Sequence, residues 1–327
     1  VGSEMCIRDR VSVATESSVD QSKAAATCIP NLLGIQPFAR SIEMKEACYS
    51  ATAALDYARL HVEKHPESKV LVIASDIARY GAHTSGEPTQ GAGSIAMLIS
   101  QDPQILLLND NFVAQTRDIM DFWRPNYSTT PYVNGIYSTK QYLDMLKTTW
   151  AEFQKRFNTS LSDFSAFCFH LPFPKLALKG FNKIMDKTLP ADLQEKLKAN
   201  FESSILYSKQ VGNIYTGSLF LGLLSLLENS ENLVGGDNIA FFSYGSGAVA
   251  EIFTGTLVEG FKDKLKNSRL QELKQRIALS VEDYERIFFE EPVLDADGNA
   301  SFANYKTGTF ALKEIRGHER IYGKTKG

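Results

Sequence analysis

The chain has 327 residues, which is enough for about two domains of ordinary size or for one large fused unit. Apolar residues make up 43% of the chain and charged residues 22%, so the composition is that of a globular protein and excludes a fibrous or disordered one. The 35 basic residues against 38 acidic ones leave a net charge of −3, which argues against binding to nucleic acid.

Residues 1–10 differ in pattern from the sequence that follows them. They have no apolar period and no helix cap, they do not begin with Met, and they run directly into the strand-like segment Val11–Thr15. We predict that residues 1–10 are a foreign or artefactual segment joined to the chain. The alternative is a native polar arm at the N-terminus.

Short apolar segments alternate with longer helical patterns along the rest of the chain. The predicted strands are Val11–Thr15, Val70–Ser75, Ser94–Ile99, Phe164–Phe169, Ile239–Ser243 and Ala248–Phe253. The predicted helices are Cys48–Val62, Gln141–Arg156, Phe173–Met185, Asn213–Leu227 and Leu270–Leu279. This alternation predicts an α/β fold with helices on both faces of its sheets. The aromatic and proline-rich stretch Asp121–Lys140 is too long for a plain linker, so we expect an ordered insertion near a functional site.

A weak internal repeat relates the two halves of the sequence. The segment Gly91–Ala96 aligns with Gly245–Ala250, and each begins with a Gly-x-Gly turn between two predicted strands. The same offset aligns Glu16 with His170, each at the carboxyl end of a predicted strand. Open α/β sheets carry their sites at such strand ends. Two similar halves would therefore each supply one ionisable group to a shared cleft.

Neither a membrane span nor a metal site is predicted. The most apolar stretch, Leu219–Leu227, is interrupted by Gly222 and Ser225 and is far shorter than the roughly 18 residues that a span needs. The four cysteines lack CxxC spacing and are few for this length, so they suggest neither a zinc site nor a disulfide framework. We expect a cytoplasmic protein with no membrane association.

Cys48 is the strongest candidate for a nucleophile. It lies among small residues at the start of a predicted helix whose apolar face continues through Leu55 and Ala58. The positive end of a helix dipole lowers a thiol pKa and favours the thiolate, and small neighbours let a substrate carbonyl approach the backbone N–H groups. The alternative is a buried cysteine that acts as a small apolar residue.

Two further ionisable groups lie at strand ends. Glu16 follows Val11–Thr15, where a carboxylate with a raised pKa is suited to general acid or base catalysis, although it equally suits the first turn of a following helix. His170 follows Phe164–Phe169 and precedes a proline-rich exit loop. Its alternative role is that of a hydrogen-bonded histidine in the core.

Other polar residues are weaker candidates for substrate contacts. Asn213 opens a predicted helix among small residues, where it is suited to orient a carbonyl or to cap the helix. The Gly-Ser-Gly turn around Ser246 permits close approach of a ligand, as a tight hairpin also would. Lys175 and Lys179 share one helix face, suited to phosphates or simply to solvent. No nucleotide-binding glycine motif occurs.

Taken together, these segments resemble the bacterial hydroxymethylglutaryl-CoA synthase family of the thiolase superfamily. The resemblance rests on motifs in the family's order, namely Ala-Thr-Glu16-Ser, Glu-Ala-Cys48-Tyr-Ser-Ala-Thr, Gly-Glu-Pro-Thr89-Gln-Gly, Asp121-Phe-Trp-Arg-Pro, Phe-His170-Leu-Pro-Phe-Pro and Gly-Asn213-Ile-Tyr-Thr-Gly. It implies the thiolase-like α/β fold, with two similar βαβ-rich halves in a layered αβαβα arrangement. Residues 11–160 would form the N-terminal half and residues 161–327 the C-terminal half.

The resemblance also implies a reaction and roles for the site residues. Acetyl-CoA condenses with acetoacetyl-CoA and water to give HMG-CoA and CoA, in the mevalonate pathway of isoprenoid synthesis. Cys48 would carry the acetyl group, Glu16 would remove a proton from it and His170 would polarise the acetoacetyl carbonyl. Substrate contacts are implied at Thr89, Ser138, Lys175, Lys179, Asn213 and Ser246. The resemblance implies a homodimer, with CoA thioesters as substrates and no metal or organic cofactor.

The sequence departs from the family at its start. Family members carry a longer segment before the Ala-Thr-Glu motif, so we expect a fragment that is less stable and less active than a full-length member. Two other functions stay open. A ketoacyl carrier-protein synthase-like enzyme also uses Cys, His and Asn but needs no catalytic Glu16, and a catalytically silent acyl-CoA-binding homologue needs no thiolate.

Overall fold

A computed structural model describes residues 9–128, 130–266, 268–302 and 308–325. Most of the predicted foreign segment, residues 1–8, lies outside the described residues. The strands are β1 (Arg10–Ala14), β2 (Arg40–Met44), β3 (Val70–Ile77), β4 (Ala92–Ile99), β5 (Leu106–Thr116), β6 (Phe122–Trp123), β7 (Tyr132–Val133), β8 (Ala166–Phe169), β9 (Asn238–Gly245), β10 (Val249–Leu257), β11 (Ala300–Ser301), β12 (Phe310–Arg316) and β13 (Glu319–Lys324). The helices are α1 (Ile29–Leu33), α2 (Ser50–Lys64), α3 (Gly135–Phe157), α4 (Pro174–Ile184), α5 (Ala191–Ser204), α6 (Leu206–Val211), α7 (Ser218–Asn229), α8 (Arg269–Lys274) and α9 (Val281–Phe289).

The two four-stranded sheets share the topology of three of their strands. The first sheet has the order β2-β1-β3-β4, with β1 parallel to β3 and β4 antiparallel to β3. The second sheet has the order β5-β10-β9-β8, with β8 parallel to β9 and β10 antiparallel to β9. The series β8, β9, β10 therefore matches β1, β3, β4 in order and direction. The prediction of two similar halves is confirmed at this level.

The central layer lies between the sheets and is built from α2 and α7. One continuous core joins apolar residues of both helices, such as Ala54 and Leu226, to inward side chains of both sheets, such as Val72 and Phe241. The alanines at positions 51, 54 and 58 of α2 are fully buried, and their small side chains let the helix pack closely against the strands. The two strand ends that carry Glu16 and His170 are thereby set on the same layered scaffold.

The outer faces are covered by the remaining helices. Side chains alternate along β8, so Ala166 and Cys168 enter the central core while Phe167 and Phe169 point outward. The outward rings pack against α3, α4 and α5, whose aromatic residues include Trp150. On the first sheet, the outer face packs against α1. The predicted αβαβα layering is confirmed.

Some elements differ from the predicted ones. The predicted helices at Cys48 and Asn213 begin later, at Ser50 and Ser218, because the residues before each helix form tight turns. The strands β2 and β5 were not predicted. Both β5 and α3 precede residue 160 yet pack on the second sheet. The division of the chain into two halves at residue 160 stays a prediction. Within the described ranges, no helix combines the length and the apolarity that crossing a membrane requires.

Candidate active site

Cys48 lies in a tight turn between β2 and α2. We call residues 46–49 the Cys48 turn; its Tyr49 N–H donates to the Glu46 carbonyl oxygen at 3.0 Å. Ala47 has a positive φ of 42°, a backbone conformation that is unfavourable for a residue with a side chain. The surrounding structure must therefore hold this turn. Two residues beyond the thiol, Ser50 begins α2, so Cys48 precedes the helix rather than lying in its first turn.

The Cys48 thiol hydrogen-bonds to Glu16, whose Oε2 lies 3.3 Å from Sγ. Burial is the largest cause that raises the pKa of Glu16 to about 7, and the nearby Asp76 carboxylate adds to it. Burial also raises the pKa of the Cys48 thiol well above its ordinary value, followed by the negative charge of Glu16. The expectation of a thiolate is therefore wrong for the resting site, where the thiol keeps its proton. The pair is suited to proton transfer, because the Glu16 pKa lies near neutral pH.

Asp76, near the end of β3, holds the segment that carries Glu16. Its Oδ1 accepts hydrogen bonds from the Thr15 hydroxyl and from the N–H groups of Glu16 and Ser17, at 2.8 to 2.9 Å. Its Oδ2 accepts from the N–H and the hydroxyl of Thr216, just before α7. Asp76 was not among the residues predicted for the site. Its signal was available, because Asp76 is a carboxylate at the end of an apolar strand, as Glu16 is.

His170 follows β8 and is only 2% exposed. Burial lowers the pKa of its imidazole to about 3, so the ring is neutral at physiological pH. Its backbone N–H donates to Phe242 at 2.7 Å, and its carbonyl oxygen accepts from the Tyr142 hydroxyl at 2.9 Å. The Tyr142 ring in turn packs edge-on against Tyr244. The described contacts link His170 to the site through these rings, not through a hydrogen bond to Cys48 or Glu16.

The turn between β9 and β10 lies directly on the Cys48 turn. A Cβ added at Gly245 would lie 2.6 Å from the Glu46 carbonyl oxygen and 2.7 Å from the Tyr49 nitrogen, so only glycine permits this approach. Ser246 follows it and is partly buried. Because Gly245 packs on the turn that carries Cys48, Ser246 is one residue away from that contact.

In the predicted insertion, the described residues 121–128 and 130–140 include β6, β7 and the start of α3, and they lie at the site. Asp121 is fully buried and accepts hydrogen bonds from the Tyr244 hydroxyl at 2.7 Å, the Gly247 N–H at 3.0 Å and the Ser138 hydroxyl at 3.1 Å. From the same insertion, the Arg124 guanidinium donates to the Glu16 carbonyl oxygen. The Asp121 carboxylate thus places Ser138 near the turn between β9 and β10, a role that its place in the Asp-Phe-Trp-Arg-Pro motif did not reveal.

Asn213 is 2% exposed and is held by several partners. Its Oδ1 accepts from the Tyr215 N–H at 2.9 Å and the Ser218 hydroxyl at 2.7 Å, and its Nδ2 donates to the Tyr80 hydroxyl at 2.7 Å. These bonds organise the turn into α7, and among the described residues only one of the two amide N–H groups has a partner, so the other is available to a ligand. Its backbone N–H donates to the Thr89 carbonyl oxygen at 2.8 Å, so Thr89 and Asn213 are neighbours.

Lys175 and Lys179 lie on one exposed face of α4, five and nine residues after His170. Among the described residues, neither ammonium group forms an ion pair or hydrogen bond with another side chain. The structure thus brings together Glu16 and Cys48, packs Gly245, the neighbour of Ser246, against the Cys48 turn, and pairs Thr89 with Asn213. It shows no contact between the two lysines and these residues.

Models of one protein family match nearly the whole chain. The model of the hydroxymethylglutaryl-coenzyme A synthase N-terminal region matches residues 4–104, and that of the C-terminal region matches residues 109–190 and 181–324. The hydroxymethylglutaryl-CoA synthase of Enterococcus faecalis is 51% identical over 291 residues, which span 88% of this chain and 75% of that protein.

Solved structures agree as well. A crystal structure of HMG-CoA synthase complexed with CoA is 76% identical, with a TM-score of 0.97 over 99% of this chain and 83% of that chain. A structure of MvaS in complex with 3-hydroxy-3-methylglutaryl coenzyme A is 30% identical, with a TM-score of 0.84 over 98% of this chain and 82% of that chain. The family models, the sequence identities and the shared fold all lead to one conclusion: the chain belongs to the hydroxymethylglutaryl-CoA synthase family.

Proposed function

We propose that this chain condenses acetyl-CoA with acetoacetyl-CoA and water, releasing HMG-CoA and CoA for the mevalonate pathway of isoprenoid synthesis. The observation that carries the proposal is the hydrogen bond of 3.3 Å between the Cys48 thiol and the Glu16 carboxylate, in a chain of this family. The solved relatives bound to CoA and to HMG-CoA support CoA thioesters as the substrates.

The first step transfers the acetyl group to Cys48. The thiol passes its proton to Glu16 as sulfur attacks the acetyl carbonyl carbon of acetyl-CoA. The new carbon–sulfur bond forms while the bond to the CoA sulfur breaks, and the leaving thiolate takes up the proton from Glu16 to give free CoA. A Glu16 pKa of about 7 suits both directions of proton transfer.

The second step forms the new carbon–carbon bond. Glu16, again as the carboxylate, removes a proton from the methyl group of the acetyl-cysteine, and the resulting carbanion attacks the ketone carbon of acetoacetyl-CoA. The neutral His170 imidazole donates a hydrogen bond to the ketone oxygen, and this oxygen takes up the proton that Glu16 removed to become the hydroxyl of the product. Water then hydrolyses the thioester to Cys48, which gives the free carboxylate of HMG-CoA and restores the thiol.

Other residues stabilise and bind the substrates in this proposal. The free N–H of the Asn213 amide and the backbone around Cys48 and Ser246 face oxygens on which negative charge develops. Thr89 and Ser138 contact substrate, and the exposed amines of Lys175 and Lys179 suit the phosphates of CoA. Each step uses only a thiol, a carboxylate, an imidazole and amide donors, so none needs a metal or an organic cofactor.

The finer assignments follow the family resemblance. We propose a homodimer, testable by sedimentation equilibrium, and a cytoplasmic location. Glu16 at the thiol argues against the ketoacyl carrier-protein synthase-like alternative, which does not need that carboxylate. A silent acyl-CoA-binding homologue would not need a general base whose pKa lies near neutrality.

The proposal is tested by incubating the protein with both thioesters and quantifying HMG-CoA and free CoA by chromatography. Cys48→Ala should abolish the product, while Cys28→Ala, a matched loss of a partly buried thiol elsewhere, should not. Glu16→Gln should lower the rate by about 10²- to 10⁴-fold, the usual contribution of a general base. Near wild-type turnover in Cys48→Ala would contradict the proposal.

A further inference from the structure

Tyr49, the residue after Cys48, is tied to the opposite half of the molecule. Its hydroxyl donates a hydrogen bond to Glu251 Oε2 at 2.6 Å. Glu251 lies in the interior of β10, where its backbone pairs with Ala114 of β5 on one side and Ser243 of β9 on the other. The bond thus connects the turn before α2 to the middle of the second sheet, across 202 positions of sequence.

A carboxylate at this place is costly. Glu251 is only 7% exposed, and removing an ionised carboxylate from water without strong partners is unfavourable. The charged groups of α2 that act on it are Arg59, which favours its ionised form, and Asp56, which opposes it. An apolar side chain of similar volume would hold two packed layers together at least as well. The position of Glu251 is therefore better explained by its hydrogen bond to Tyr49, which orients that side chain.

The Cys48 turn needs such support. Ala47 is held at a positive φ of 42°, so the turn does not follow from local backbone preference. Gly245 of the second sheet packs against its backbone at Glu46 and Tyr49. Glu251 holds its side-chain end through the Tyr49 hydroxyl. The second sheet thus contacts the Cys48 turn on both sides of the cysteine, at Glu46 and at Tyr49.

We propose that Glu251 is a positioning residue for the condensation: through Tyr49 it fixes the turn that aims the Cys48 thiol at Glu16. Glu251 touches neither the thiol nor the Glu16 carboxylate, and it acts only through the tyrosine. This inference rests on the proposed function for the role of Cys48, and it adds that a strand of one half sets the geometry of the nucleophile in the other.

The test measures the rate of Cys48 acetylation in variants of the whole chain. Each reaction with acetyl-CoA is quenched at set times, and the Cys48 peptide is quantified by mass spectrometry. Tyr49→Phe and Glu251→Ala should each lower the maximal acetylation rate by about 10- to 100-fold, because small displacements of a reacting group are this costly. Glu251→Gln keeps an acceptor for the phenol and should recover most of the rate. The double variant Tyr49→Phe/Glu251→Ala should lose no more than either single one.

Thr52→Val is the matched control. Thr52 lies on α2, one turn after Tyr49, and its hydroxyl donates to the Ser243 hydroxyl at 2.8 Å. The substitution removes a buried hydrogen bond between the same helix and the same sheet, but this bond does not involve the Cys48 turn. This variant should melt at a lower temperature than the wild type yet acetylate at the wild-type rate. Equal loss of acetylation in Thr52→Val, or wild-type acetylation in Tyr49→Phe, would overturn the proposal.

A second readout separates this proposal from the proposed function. Alkylation of Cys48 by iodoacetamide reports the placement of the thiol without any thioester substrate. Tyr49→Phe should change this rate several-fold, whereas Thr52→Val should not. If the wild type is not acetylated at all, the proposed function fails, and the alkylation rates still decide the role of Glu251. Equal alkylation rates in all the variants would overturn it.

Discussion

Replacing Asp76 by asparagine preserves the size of a buried side chain and removes its charge. In the native site Asp76 is 4% exposed and accepts five hydrogen bonds. Three donors, from Thr15, Glu16 and Ser17, converge on Oδ1, and an asparagine oxygen can still accept them. The two donors of Thr216 converge on Oδ2, where asparagine presents an amide that donates.

The cost of Asp76→Asn follows from these contacts. The Thr216 N–H loses its acceptor, and an unsatisfied buried donor costs about 1 to 3 kcal/mol. The three bonds to Oδ1 lose their charge assistance, at about 1 kcal/mol each, since bonds to charged groups contribute roughly 1.5 to 3 kcal/mol and neutral ones roughly 1. Relief from burying a charge offsets part of this loss. We expect the free energy of unfolding to fall by about 2 to 4 kcal/mol.

Activity should change in a way that stability alone does not explain. The Asp76 carboxylate is, after burial, the main cause that raises the Glu16 pKa to about 7, so Asp76→Asn should lower that pKa. The acidic limb of the pH–rate profile should therefore move to lower pH, because Glu16 becomes a carboxylate at lower pH. Maximal turnover should fall as well, since the Glu16 segment is less firmly held.

Urea unfolding and pH–rate profiles between pH 5 and 9 measure both effects. The control is Asp56→Asn, the same substitution on α2 at a side chain that is 45% exposed and paired with Arg59. It should change stability by no more than about 0.5 kcal/mol. If Asp76→Asn unfolds like the wild type and its acidic limb does not move, Asp76 does not hold or tune Glu16, and the reasoning is refuted.

Three further predictions concern the same site. Gly245→Ala should slow acetylation of Cys48 and destabilise the fold by about 1 to 3 kcal/mol through overpacking, whereas Gly135→Ala, with nothing within 4 Å of the added Cβ, should do neither; equal melting temperatures would contradict this. His170→Ala should still be acetylated but should fail in condensation with acetoacetyl-CoA, and a single-turnover assay separates the steps. Burial raises the pKa of Glu251 above its ordinary 4.5 to about 7, so the folded wild type takes up a proton as the pH falls through 7. Its free energy of unfolding relative to that of Glu251→Gln should therefore rise by about 2 to 3 kcal/mol from pH 8 to pH 5. A difference in urea unfolding that stays constant with pH would contradict the assignment.

Strands buried on both faces were predictable from the sequence, because β3, β8 and β9 each contain a run of at least four apolar residues. The strand β5 was not, since Asn109, Asp110 and Asn111 interrupt its apolar pattern. In the sheet, the side chains of Asn109 and Asn111 hydrogen-bond to the Thr254 hydroxyl of β10 at 3.0 and 2.6 Å. Such cross-strand polar pairs stabilise a strand only once its neighbour is known.

The candidate site was partly predictable for similar reasons. Strand ends and small residues before a helix pointed to Glu16, Cys48 and His170 without any knowledge of the tertiary structure. The thiolate expectation was wrong, because the helix dipole was considered without the burial of the thiol and its carboxylate neighbour. The contact between Tyr49 and Glu251 joins residues far apart in sequence, and no local pattern reports it.

The central claim is that Cys48, paired with Glu16, carries the acetyl group during condensation. Its most direct test is mass spectrometry of the protein after brief incubation with acetyl-CoA, with neutral hydroxylamine treatment to identify a thioester. We predict one hydroxylamine-sensitive acetyl group on the peptide that contains Cys48, and none in Cys48→Ala. An acetyl group on the peptide of Cys28 or Cys168, or acetylation that persists in Cys48→Ala, would contradict the account.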